Sequence, residues 1–133
     1  MINPNDLREI LYNISRDIIL PSFGNLEINQ ISYKDGKDIV TDIDISVENE
    51  LNNILPKLIR NSNFIGEESY AKNNNILNYY LSDEYCWTVD PIDGTSNFAK
   101  SKDRFAVMVA LTKSTEIIQS FIYKPLNEDF MYA

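Results

Sequence analysis

The stretch "EYCWTVDPIDGTSNF", residues 84–98, constrains the fold more than any other part of the chain. An apolar run of strand character ends in two carboxylates, Asp90 and Asp93, and is followed at once by Gly94-Thr95. Pro91 has no amide to give to a sheet, so the strand must change course between the two acids. Two acids at one strand exit suit a hard cation, with the Ile92 carbonyl as a third oxygen. Mg²⁺ takes about six oxygens in octahedral geometry and draws only a few from protein, leaving water and phosphate to complete its shell. Gly94 permits close backbone approach, and Thr95 opens a short helix through "TSNFAK", whose first amides suit an anion. Cation ligands and an anion cradle so close together point to phosphoryl chemistry.

Length and charge limit the alternatives. The chain has 133 residues, one domain's length, and 44% of them are hydrophobic, so one packed core is expected across residues 1–133. With 20 acidic against 12 basic residues the net charge is -8, which argues against a nucleic-acid surface. An acidic protein that handles an anionic substrate needs local positive charge, and a metal ion supplies it. The sequence has no histidine, which removes Ser-His and Cys-His nucleophiles and His-ligated zinc. Cys86 is a lone cysteine in an apolar run, so no disulfide framework is implied. The start, "MINPNDLREI", lacks the basic and apolar regions of a signal peptide, and no stretch approaches transmembrane length. The expectation is a cytoplasmic protein without a membrane partner.

Along the chain, Asn3-Pro4 and Asp6 start a helix whose apolar positions are Leu7, Ile10, Leu11, Ile14 and Ile18, yielding near Pro21 to Gly24. "YKDGKDIVTDID" reads as a turn at Asp35-Gly36 and a short extended piece. A second helix buries Val47, Leu51, Ile54, Leu55 and Leu58, with Pro56 expected to kink or end it. "NFIGEESY" is a short strand, and the Asn-rich "AKNNNILNYYLSDE" reads as a mobile loop with one helical turn. "RFAVMVALT" and "EIIQSFIYK" are strands, and "DFMYA" is an edge strand whose open side asks for a covering partner or further chain. The fold class is α/β: an α+β layered sandwich of two N-terminal helices on a mainly antiparallel sheet.

Aspartyl phosphatases of the haloacid dehalogenase type carry D-x-D-G-T on their first strand. Here the acids are one residue further apart and the motif comes late, so that reading fails. Instead "GEES" at 66–69 with "WTVDPIDGTSNF" at 87–98 closely resembles the inositol monophosphatase family of Mg²⁺-dependent, lithium-sensitive phosphatases. "KDIVTDID" resembles that family's upstream element, and the three occur in the right order. The resemblance implies that Glu67, Asp90, the Ile92 carbonyl and Asp93 are Mg²⁺ ligands. It implies that Ile92, Asp93, Gly94 and Thr95 surround the substrate phosphate, and that Asp44 pairs with Thr95 to orient the attacking water. The implied activity is hydrolysis of a small phosphorylated metabolite, an inositol monophosphate-like ester.

One departure stands out. The family's later segment carries a further acidic ligand in a W-D-x-A-A-G type motif, whereas the one tryptophan here is Trp87. The chain therefore reads as the N-terminal half of such an enzyme, associating with a second copy or with a separately encoded C-terminal half. The alternative is a non-catalytic remnant or a regulatory binding protein of the same family. Singly, each acid has a plainer role: Glu67 and Glu68 as solvated strand-end acids, Asp44 as a helix N-cap, Asp90 and Asp93 as turn residues. Lys34 is a candidate charge near the water.

Overall fold

The computed structural model describes residues 1–34, 36 and 38–133. Helix α1 is Pro4–Ile14, capped by the Asn3 side chain, which accepts from the Asn5 amide at 3.0 Å. Its axis does not run on to Pro21 as one α-helix. The ladder widens over Ser15–Ile19 and then tightens over Leu20–Ser22, which contains Pro21, before Gly24 turns the chain. Strands β1 (Ile31–Lys34) and β2 (Asp38–Thr41) form an antiparallel hairpin. Gly36 lies in its turn; Asp35, the other residue of the expected turn, lies outside the described residues.

Helix α2 (Asp42–Leu58) follows directly. Its N-cap is Thr41 rather than Asp44, because the Thr41 hydroxyl accepts from the Asp44 amide while Asp44 reaches back to the Thr41 amide. Pro56 falls in the last turn, where the helix is about to stop.

Strands β3 (Asn63–Gly66), β4 (Tyr85–Asp93), β5 (Ala106–Lys113), β6 (Glu116–Lys124) and β7 (Asp129–Tyr132) form one sheet in sequence order. Four of them make the expected antiparallel meander, but β3 runs parallel to β4. The connection between β3 and β4 explains the difference, since a parallel pair needs a crossover. Helix α3 (Glu67–Lys72) and a 3₁₀ run over Asn74–Leu81, in the Asn-rich segment, supply it. The Tyr80 hydroxyl ties that run to Thr88 on β4 at 2.6 Å.

Alternate residues of the meander face α1 and α2. Trp87 and Val89 of β4, Val107, Val109 and Leu111 of β5, and Phe121 and Tyr123 of β6 pack with Leu7, Leu11, Val47, Leu51 and Leu55. Burying each such side chain stabilises by about 1.5–3 kcal/mol, so this face fixes α2 on the sheet. No helix among the described residues is long and apolar enough to cross a membrane.

Candidate active site

The parallel pairing of β3 and β4 brings the acids together. Gly66 lies opposite Val89, so the residues that follow them, Glu67 at the start of α3 and Asp90 on β4, emerge at the same end of the pair. Asp90 is pushed up to about 8, first by burial and then by the apposed Glu67 carboxyl and the charges of Asp93 and Asp44. Its Oδ1 is buried with no hydrogen-bond partner. A carboxylate so placed needs a proton or a cation, and the all-oxygen surroundings suit a hard divalent ion.

A cation already stands on one side of this pair. Lys34 Nζ lies 3.1 Å from Glu67 Oε1 and 3.2 and 3.3 Å from the two Glu68 oxygens. Burial disfavours the ammonium, but Glu67 and Glu68 outweigh it and the Lys34 pKa is raised. Strand β1 thus extends its charge to the start of α3.

Asp44, in the first turn of α2, is fully buried and accepts three hydrogen bonds. Oδ2 takes the Thr41 amide at 2.9 Å and the Thr41 hydroxyl at 2.5 Å, and Oδ1 takes the Thr95 hydroxyl at 2.9 Å. Burial raises its pKa while these donors oppose the rise. The Thr95 hydroxyl has one proton and faces a second acceptor, the Ile92 carbonyl, also at 2.9 Å. When that proton lies toward Asp44, Thr95 keeps a lone pair for an incoming donor.

Thr95 is held by the turn before it. The ladder between β4 and β5 is interrupted between Asp90 and Asp93, as Pro91 requires. Gly94 then takes φ +88°, and a Cβ there would sit 2.5 Å from the Arg104 carbonyl. Only glycine lets helix α4 (Thr95–Ala99) start against that loop. Asp93 is exposed and lines a neighbouring cleft of about 380 Å³ with Asp103, Arg104 and Lys124. Among the described residues, no three acids close into a complete metal cage. Glu67 with Asp90, and Asp44 with Thr95 and Ile92, are the two groupings the fold assembles.

Glu48 went unnoticed in the sequence, where it is one more acid on a helix. It is buried, and it accepts from the Glu68 and Ser69 amides at 2.8 and 2.9 Å. The available signal was its place on the apolar side of α2, one turn beyond Asp44.

Residues 6–133 match the sequence model described as the inositol monophosphatase family. An inositol monophosphatase of Dictyostelium discoideum is 35% identical over 109 residues, covering 82% of this chain and 39% of that one. A fructose-1,6-bisphosphatase/inositol-1-monophosphatase of Aquifex aeolicus is 31% identical over 108 residues, covering 81% of this chain and 38% of that one. A solved IMPase of Thermotoga maritima superposes with a TM-score of 0.80 at 24% identity, covering 97% of this chain and 46% of that one, a likeness of fold. The chain therefore spans about two fifths of the length of the curated relatives it matches.

Proposed function

The chain belongs to the inositol monophosphatase family, and we propose that residues 1–133 form one domain supplying the water-activating side of a Mg²⁺-dependent phosphatase. Its substrate class is a small phosphate monoester; the Aquifex aeolicus relative, whose name joins two sugar and polyol phosphatase activities, supports a class wider than inositol phosphates. The observation that carries the reading is the buried, unpartnered Asp90 oxygen beside Glu67, a few residues from the Asp44–Thr95 pair.

Glu67, Asp90, the Ile92 carbonyl and Asp93 would hold Mg²⁺. When bound, the ion neutralises phosphate charge and lowers the pKa of water. Gly94, which brings the backbone close, and Thr95 would face the phosphate together with Ile92 and Asp93. A water bonded to Thr95 Oγ1 can pass a proton to that oxygen as the threonine's own proton moves to Asp44, 2.9 Å away. Asp44 suits the accepting role because burial raises its affinity for a proton. The water oxygen then bonds to phosphorus as the P–O ester bond in line with it breaks, and the alcohol oxygen leaves with that electron pair and takes a proton from solvent, which requires both oxygens to be held in place.

Calorimetric titration with Mg²⁺ or Mn²⁺ tests the reading. Binding should be measurable for the native sequence and sharply reduced in both Asp90→Asn and Asp93→Asn. Unchanged binding in these variants would remove the metal assignment and the function with it.

A further inference from the structure

Among the described residues, Glu48 and Glu68 are buried acids that the proposed chemistry leaves without a role, and Glu48 is the one whose two oxygens both accept backbone amides. It projects from the second turn of α2 and is 6% exposed. Oε1 accepts the Glu68 amide at 2.8 Å and Oε2 accepts the Ser69 amide at 2.9 Å. The first amides of a helix have no partner inside it, and side chains of the preceding residues usually serve them. Here the acceptor comes from a different helix, twenty positions upstream.

Gly66 makes that reach feasible. Its backbone is extended at φ -103°, a conformation open to any residue, so glycine is needed there for space. A Cβ at Gly66 would run into the Glu48 carboxylate and its Cγ. The same turn is closed locally by Ser69, whose Oγ accepts from the Gly66 amide at 3.0 Å and donates to the Gly66 carbonyl at 3.1 Å. A two-oxygen acceptor on consecutive amides fixes both the position of the α3 first turn and its rotation. That rotation decides where the Glu67 side chain leaves the backbone. Both Glu48 oxygens are thus engaged with backbone amides at the start of α3.

We propose that Glu48 is a positioning residue, transferring the register that Asp44 sets against Thr95 along α2 to the start of α3, and so aiming Glu67 at Asp90. Helix α2 thereby acts as a ruler between the two groupings of the site. The proposal rests on the reading that Glu67 and Asp90 hold a divalent cation. Groups that orient metal ligands in this way typically contribute about 10–100-fold in affinity.

The test uses the whole 133-residue chain, Mn²⁺ as probe followed by electron paramagnetic resonance, and amide exchange followed by NMR. Glu48→Asp keeps the charge but withdraws the carboxylate by one methylene. It should weaken Mn²⁺ binding roughly tenfold and speed exchange at the Glu68 and Ser69 amides. Gly66→Ala keeps Glu48 but displaces it, and should have the same two effects; it covers the case in which Glu48→Asp fails to fold. Glu67→Gln serves as reference. If it weakens Mn²⁺ binding while Glu48→Asp and Gly66→Ala do not, Glu48 has no positioning role and the cation site stands. Should the native chain not bind Mn²⁺ at all, the site reading fails and the proposal falls with it. Faster exchange without weaker binding would likewise reduce Glu48 to a structural cap and overturn the proposal.

Discussion

Thr95 Oγ1 lies 2.9 Å from Asp44 Oδ1, joining residues fifty-one positions apart. The contact links the first turn of α2 to the first turn of α4 and leaves the threonine oxygen a free lone pair. Two substitutions separate its chemistry from its packing. Thr95→Ser keeps the hydroxyl and should retain most activity in an assembled enzyme, whereas Thr95→Ala should lower kcat by about 10²–10⁴-fold, the usual scale for positioned proton transfer. Phosphate release at millimolar Mg²⁺ is the readout, and equal rates for the two variants would exclude the Asp44–Thr95 pair from the reaction.

Stability of the metal-free chain should depend on pH with a defined sign. Asp90 is pushed up to about 8 in the folded chain, and Asp44, Glu48 and Glu68 are raised as well, burial being the largest cause in each. A folded state that binds protons more tightly than the unfolded chain is favoured at low pH. Stability therefore falls as pH rises from the ordinary carboxylate range toward 8, the folded-state value of Asp90. Thermal melts across that window should show a declining midpoint. Asp90→Asn should flatten the decline, and Mg²⁺ should raise the midpoint more at pH 8 than at pH 5, because the metal and the proton compete. A midpoint that rises through the window would contradict the buried-acid description.

Lys34 offers a contrasting case. Its ammonium sits 3.1 Å from Glu67 Oε1, where it neutralises a carboxylate that the proposed function gives to a metal. Lys34→Gln should then tighten Mn²⁺ binding several-fold, a change of about 1 kcal/mol, the scale of a partly exposed ion pair. Weaker binding would mean that Lys34 organises the acids instead of competing for them.

Gly94→Ala should be costly to the fold itself. The substitution meets a positive φ and a carbonyl 2.5 Å from the new methyl. Left-handed strain alone costs roughly 1–3 kcal/mol, and the collision adds to it. Urea denaturation should show a loss of at least that size, and a loss below about 0.5 kcal/mol would mean that the Arg104 loop yields freely.

Much of this was legible in the sequence because it depends on local rules. The alternation of Val107, Val109 and Leu111 specifies a strand with one buried face, and Pro91 between two acids specifies its break. The parallel placement of β3 was not legible, since its cause is the crossover through α3 and the Asn-rich 3₁₀ run after it, and asparagine has weak helical propensity. That crossover is held by Glu48 and by the Tyr80–Thr88 contact, both tertiary. Asp44 as the third helical residue rather than the cap was missed because Thr41, Asp42 and Asp44 are all good caps. Motif spacing could suggest that the acids share a site; only the register of Gly66 with Val89 puts Glu67 beside Asp90.

Acting alone, residues 1–133 should fall short of full catalysis. They supply a buried proton acceptor, a hydroxyl and a pair of apposed acids, but among the described residues no three acids close into a metal cage. In-line phosphoryl transfer needs charge compensated on the attacking and leaving sides, and each ~1.4 kcal/mol of lost transition-state stabilisation lowers the rate tenfold. The curated relatives are far longer, this chain spanning 39% of the Dictyostelium discoideum protein. Residues 1–133 alone should therefore bind Mn²⁺ weakly and release little phosphate from inositol monophosphate. Supplying the remaining segment of a family member should raise both the metal affinity and the rate, and the restored activity should be inhibited by lithium and lost in Thr95→Ala. Robust, lithium-sensitive turnover by residues 1–133 without any addition would show that Glu67, Asp90, Asp93 and the Asp44–Thr95 pair suffice, and that a further ligand is dispensable.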